Sequence, residues 1–219
     1  MSLKAVLFDF DGTLADSNKL ITDSFLHVLN PAFPGKYDEE SVQRFNGPSL
    51  DAVLTELFPN NSEEMIEKYR TYNSDHHDEL LTTFPNVKES LETLQKAGLK
   101  LAIVSTKSNV NLIRGLDLLN LTTYFDVIVG NSDYTHFKPH PEPLEVAMNA
   151  LKVDASDCIM VGDNSHDIEA AHNAGVTSVF VTWSKKSEKE IAKYNPNKKT
   201  HSMLELTQWI LEKYDGGNA

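Results

Sequence analysis

Short apolar runs recur along the chain at residues 5–10, 99–104, 127–130, 159–162 and 178–181. Both faces of each run are apolar, as strands of a covered parallel sheet require. Segments of helical period lie between them. Val87, Leu91 and Leu94 are spaced i, i+4, i+7, and Gly98 supplies a stop. Leu144, Ala147, Met148 and Leu151 repeat that stripe. Alternating strands and helices predict an α/β fold, a Rossmann-like doubly wound parallel sheet with helices on both faces.

One stretch breaks the alternation. Residues 16–82 carry no strand signal, only helix-period segments. Ile21, Phe25, Val28 and Leu29 form a first stripe, and Val42 with Phe45 a second, stopped by Gly47-Pro48. Leu50, Val53, Leu54 and Leu57 form a third, halted by Pro59. Met65, Ile66, Tyr69 and Tyr72 begin a fourth, with Ser62 expected at its N-cap. The organisation expected is therefore a core of residues 1–15 and 83–219 and an inserted four-helix cap domain of residues 16–82. Short linkers at both ends would let that insert move as a lid. His76 and His77 are expected on its polar face, because adjacent helical residues point about 100° apart and cannot easily share one metal.

Composition narrows the function classes. Apolar residues make up 40% and charged residues 24%, which suits a globular core and excludes disorder. The formal net charge of -12 leaves no basic footprint for nucleic acid. A small anionic substrate remains compatible, provided a cation and a few placed basic groups reverse the local field. The single cysteine, Cys158, lies in an apolar run and reads as a buried small hydrophobe. The N-terminal residues enter an apolar run followed by two aspartates, unlike a signal peptide. No apolar stretch reaches the roughly 18 residues that span a bilayer. A cytoplasmic location and no membrane partner are expected.

The candidate chemistry sits where apolar runs end. Asp9 and Asp11, in Phe8-Asp9-Phe10-Asp11-Gly12-Thr13, would share a face at the carboxyl end of the first strand, where open α/β sheets bind ligands. Read alone, the pair could equally be a solvated Asp-Gly turn. The loop Gly162-Asp163-Asn164-Ser165-His166-Asp167 can approach that strand end, so Asp163 could complete an oxygen-rich magnesium site with Asp9. Asp167 could join the site or cap the following helix. Ser105 and Thr106 end the second run and could donate to a phosphoryl oxygen, or simply cap a helix. Lys138, in a loop stiffened by Pro139, Pro141 and Pro143, could pair with phosphate and a carboxylate, or stand exposed.

Taken together, these segments resemble the haloacid dehalogenase superfamily: residues 9–13 its first motif, Ser105 its second, Lys138 its third, and residues 162–167 its fourth. The inserted helices are similar to that family's small α-helical cap. The resemblance implies that Asp9 is the nucleophile that becomes phosphorylated and that Asp11 is the general acid and base. It further implies Mg2+ held by Asp9, the backbone carbonyl of Asp11 and Asp163, with Asp167 in support. Ser105, Thr106 and Lys138 would bind the transferring phosphoryl group. Because Asp11 is present, carbon–halogen chemistry is disfavoured. Cap segments around Gly47, Pro48, Ser49 and Arg70 resemble those of the family's inorganic pyrophosphatases, with phosphoglycolate phosphatases the nearest rival. A phosphomutase-like reading and a non-catalytic binding role are weaker, the latter because Asp9, Asp11, Lys138 and Asp163 are all retained. The partners implied are pyrophosphate or another small phosphorylated substrate, on a monomer or weak homodimer.

Overall fold

The structure is a computed structural model that describes residues 3–46 and 48–215; Gly47, one of the four cap positions singled out above, lies outside the described residues. Six strands form a sheet in the order β5-β4-β1-β6-β7-β8, every pairing parallel. They are β1 (Ala5–Phe8), β4 (Lys100–Val104), β5 (Val127–Val129), β6 (Cys158–Gly162), β7 (Thr177–Val181) and β8 (Lys198–Thr200). Alternate residues feed opposite layers, as the pleat demands. Val6 and Phe8 of β1, with Leu101 and Ile103 of β4, enter one apolar cluster, closed by α4 (Val87–Lys96) and α9 (Met203–Asp215). Ala5 and Leu7, with Ala102 and Val104, enter the other, closed by α6 (Glu142–Leu151) and α7 (Ser165–Asn173). Burying each large apolar side chain contributes about 1.5–3 kcal/mol. Cys158 is buried as expected and its thiol donates to the Asp154 carbonyl.

The sheet order places the site. From β1 the chain reaches β4 on one side, and it later returns to β6 on the other. A crevice therefore opens at the carboxyl end of β1, between the loops that follow its two neighbours.

Residues 18–80 build a helical layer with its own apolar cluster, centred on Phe25, Leu29, Leu54, Ile66 and Tyr69. It comprises α1 (Asn18–Ala32), a 3-10 turn at Ser41–Phe45, α2 (Leu50–Leu57) and α3 (Ser62–Leu80). Four details differ from expectation. The second predicted helix is the 3-10 turn, too short for a full α-helical stripe. Asn61 occupies the N-cap position of α3, and Ser62 is already helical. The stretch also contains strand: β2 (Ala15–Asp16) pairs antiparallel with β3 (Thr82–Thr83), a two-residue ribbon with no detectable period. His77 is buried rather than on a polar face, because α3 packs against α5 (Asn109–Leu118). Its Nδ1 lies 2.8 Å from an Asp78 carboxylate oxygen, and burial lowers its pKa. The edge strand β8 was also invisible: Lys198-Lys199-Thr200 is polar, as an unpaired edge favours.

Candidate active site

Strand β1 ends at Phe8, two residues earlier than its apolar run suggests, because the Phe10 carbonyl turns back to accept from the Leu14 and Ala15 amides. Asp9 remains tied to the sheet through its amide, which donates to the Val161 carbonyl at 2.9 Å. Its carboxylate faces Lys138. The Lys138 ammonium is buried and donates to Asp9 Oδ1 at 3.0 Å, to Asp167 Oδ1 at 2.6 Å and to the Val104 carbonyl at 3.0 Å. All three ammonium protons are thus committed. Asp167 caps the following helix and also pairs with Lys138. Its Oδ2 accepts from the Asn164 amide at 3.1 Å in a capping box that starts α7, while Oδ1 holds Lys138. Two glycines let these loops meet. A Cβ on Gly12, which has φ +82°, would collide with the Asp163 carboxylate, and one on Gly162 would collide with Asp167.

Asp9, Asp163 and Asp167 are buried and each offers a carboxylate oxygen within 4.8 Å of the others. Burial, reinforced by Asp167 and Asp163, pushes Asp9 well above the usual carboxylate range in spite of Lys138. Burial and Asp167 push Asp163 up to about 7. For Lys138, burial opposes the charge, but Asp167 and Asp9 outweigh it and its pKa is raised. Three carboxylates around one ammonium leave excess negative charge in a dry place. An all-oxygen donor set of that charge fits a hard divalent cation such as Mg2+, which needs only one or two carboxylates and keeps several waters.

That electrostatics has a sign that can be tested. Between the ordinary carboxyl value of 3.8 and about 7, the folded metal-free protein keeps a proton on Asp163 that the unfolded chain has released. The Asp163 contribution to stability should therefore fall as pH rises through that window. It is read as the difference between wild type and Asp163→Asn, so that the opposite trend of His77 and His166, whose pKa values burial lowers, cancels. Urea unfolding in chelator at several pH values should show the decline, and saturating Mg2+ should abolish it. A metal-free difference between wild type and Asp163→Asn that rises across the window would contradict this reading.

Asp11 also lines the crevice, but its side chain stands apart from the three-carboxylate group. Lys107 Nζ donates to both its oxygens, at 3.0 and 3.2 Å. Ser105 Oγ accepts from the Lys107 amide at 3.2 Å and keeps its own proton to donate. Thr106 lies beside it on the cavity wall. Lys107 went unassigned in the sequence, although it follows Ser105 by two residues at the mouth of the same crevice.

A cavity of about 170 Å³ joins this crevice to the helical layer, and Pro48, Ser49 and Arg70 line its far wall. Ser49 caps α2, accepting from the Ala52 amide at 3.3 Å. Arg70 is half exposed and donates to both Asp51 oxygens at 3.2 and 3.3 Å, so it is paired rather than merely solvated. At Asn46 two core side chains meet the helical layer: Asn164 Nδ2 and Lys186 Nζ each donate to the Asn46 carbonyl at 2.9 Å. Lys186 also donates to the Gln43 carbonyl at 2.9 Å. No periodicity announces such contacts, since backbone carbonyls are their acceptors.

Comparison with known proteins converges on one family. A sequence profile of haloacid dehalogenase-like hydrolases matches residues 6–181. Pyrophosphatase PpaX of Bacillus cereus strain G9842 is 42% identical over 206 residues, covering 94% of this chain and 95% of that protein. Its counterpart in Bacillus thuringiensis strain Al Hakam is 41% identical over the same span. A predicted phosphatase from Clostridium acetobutylicum superposes with a TM-score of 0.87 at 30% identity, covering 97% of this chain and all of that one. A predicted phosphoglycolate phosphatase from Haemophilus somnus 129PT superposes at 0.82 with 24% identity, covering 95% and 98%, and so shares the fold. With the profile spanning most of the chain and the buried aspartates gathered at the sheet's switch point, the protein belongs to the haloacid dehalogenase-like hydrolase family.

Proposed function

We propose that this chain is a Mg2+-dependent phosphohydrolase that forms an aspartyl phosphate on Asp9, and that its substrate is inorganic pyrophosphate. The observation that carries the mechanism is the buried group of Asp9, Asp163, Asp167 and Lys138 at the end of β1. Phosphoryl transfer asks for alignment and charge neutralisation more than for covalent assistance. Lys138 fixes the Asp9 carboxylate in place, leaving Oδ2 free to attack phosphorus. Ser105 Oγ and Thr106 donate to the transferring group, a reading supported by their place on the cavity wall. Asp11 gives its proton to the leaving oxygen and then takes one from the water that hydrolyses the acyl phosphate. Bound at Asp9, Asp163 and the Asp11 carbonyl, with Asp167 in support, Mg2+ would neutralise the phosphoryl oxygens and hold them in line.

The pyrophosphate assignment is supported by the 42% identity to pyrophosphatase PpaX along nearly the whole chain. On this reading the cap wall at Pro48, Ser49 and Arg70 shapes the space beyond the transferred phosphoryl group. The test compares kcat/KM for pyrophosphate and phosphoglycolate in Mg2+. The expected ratio favours pyrophosphate, and a ratio favouring phosphoglycolate overturns the substrate. No chelator-sensitive turnover on either would return the chain to a binding role.

A further inference from the structure

We infer that Lys107 is the binding site for the leaving half of the substrate, and that it selects leaving groups carrying their own negative charge. The inference rests on the mechanism proposed above and deepens it. Among the described residues, three lysine or arginine side chains line the cavity, Arg70, Lys107 and Lys138. Lys138 has its three protons committed within the protein, and Arg70 is half exposed and paired with Asp51. Lys107 differs from both. It is 10% exposed, and among the described residues its ammonium is held by the Asp11 carboxylate alone, with the Phe10 ring 5.8 Å away.

The geometry follows from what Asp11 must do. A general acid has to lie within hydrogen-bond reach of the leaving oxygen. Lys107 Nζ sits about 3 Å from both oxygens of that acid, so it stands one further hydrogen bond from the leaving group. A second feature of the same wall also awaits a ligand. Ser17 is among the residues lining the cavity, and its fully buried Oγ, just beneath that surface, has no partner among the described residues. An anion is the ligand that both an ammonium and a free hydroxyl can serve.

In the first step Asp9 Oδ2 bonds to phosphorus as the bridging P–O bond breaks. The electron pair stays on the bridging oxygen, which takes the Asp11 proton. While Asp11 carries its proton and is neutral, Lys107 remains an ammonium and donates to the charged oxygens of the leaving phosphate; giving up the proton makes Asp11 a carboxylate. When that phosphate departs, the regenerated Asp11 carboxylate recovers Lys107. Asp11 next takes a proton from water as the water oxygen bonds to phosphorus and the P–O bond to Asp9 breaks.

The experiment measures kcat/KM of wild type, Lys107→Met and Lys107→Arg on pyrophosphate and on phenyl phosphate. The phenyl ester needs the same acid but releases neutral phenol. Lys107→Met should cost pyrophosphate about 10- to 100-fold more than phenyl phosphate, the size of a lost charge-assisted hydrogen bond. Lys107→Arg should recover most of that difference. Calorimetric titration of pyrophosphate into Asp9→Asn, with and without Lys107→Met, gives a readout without turnover and should show a similar loss of affinity. Equal losses on both substrates would reduce Lys107 to a residue that positions Asp11 and would overturn the inference. The wild-type rates separately judge the pyrophosphate reading. If phosphoglycolate is the better substrate, its carboxylate-bearing leaving group takes the place of pyrophosphate in the same comparison.

Discussion

Replacing Asp9 with Asn should lower pyrophosphate turnover by at least about 10⁴-fold, the scale on which nucleophile deletions act. The reason is local. Asp9 Oδ1 is held by Lys138, so one carboxylate oxygen anchors and the other is left to attack. An Asn side chain keeps the size and can still accept from Lys138 through its carbonyl oxygen, but its amide nitrogen is no nucleophile. The substitution also removes one of three mutually repelling carboxylates from a buried group, so the fold should persist and Mg2+ should bind less tightly. Circular dichroism and a thermal melt check the fold, and a phosphate-release assay checks the chemistry. Activity within tenfold of wild type would contradict covalent catalysis at this residue.

Lys138→Met should damage stability as well as rate. Removing the ammonium leaves Asp9 and Asp167 buried without their common counter-charge. Breaking one side of a buried ion group costs about 3–5 kcal/mol. For a chain of this size that lowers Tm by roughly 6–20 °C. A divalent cation binding the same carboxylates stabilises the folded state by mass action, so Mg2+ should recover part of the loss. Turnover should fall at least about 10³-fold even with Mg2+, since Lys138 anchors the nucleophile Asp9 and, among the described residues, is the cation hydrogen-bonded to both Asp9 and Asp167. An unchanged melting temperature in chelator would show that the three-carboxylate group does not need this lysine.

How much of this could be read from the sequence varies with the physics of each feature. The strands β1, β4, β6 and β7 were legible because each is a run buried on both faces. The approach of residues 162–167 to Asp9 was legible too, because parallel sheets gather ligands at strand ends. The β2–β3 ribbon was not: two residues cannot display a period, and their pairing depends on the helical insert bringing Thr82 back to Asp16. His77 misled for a related reason. Its burial is set by α5, nearly 40 residues away in sequence, and not by the pattern of α3 itself. Lys107 shows a further limit. A lysine in a loop is solvated in most proteins, and only the fold brings it against Asp11, 96 positions earlier. Arg70 is the converse case, conspicuous in sequence yet already matched by Asp51 across the helical layer.

The central claim is that a covalent bond forms at residue 9, and trapping it is the most direct test. Enzyme turning over pyrophosphate with Mg2+ would be quenched rapidly with borohydride, which reduces an acyl phosphate to an alcohol. Peptide mass spectrometry should then find homoserine where Asp9 stood, only when substrate was present, and at no other aspartate. Homoserine at a different position, or an unreduced Asp9 in enzyme caught during a phosphate burst, would contradict the account.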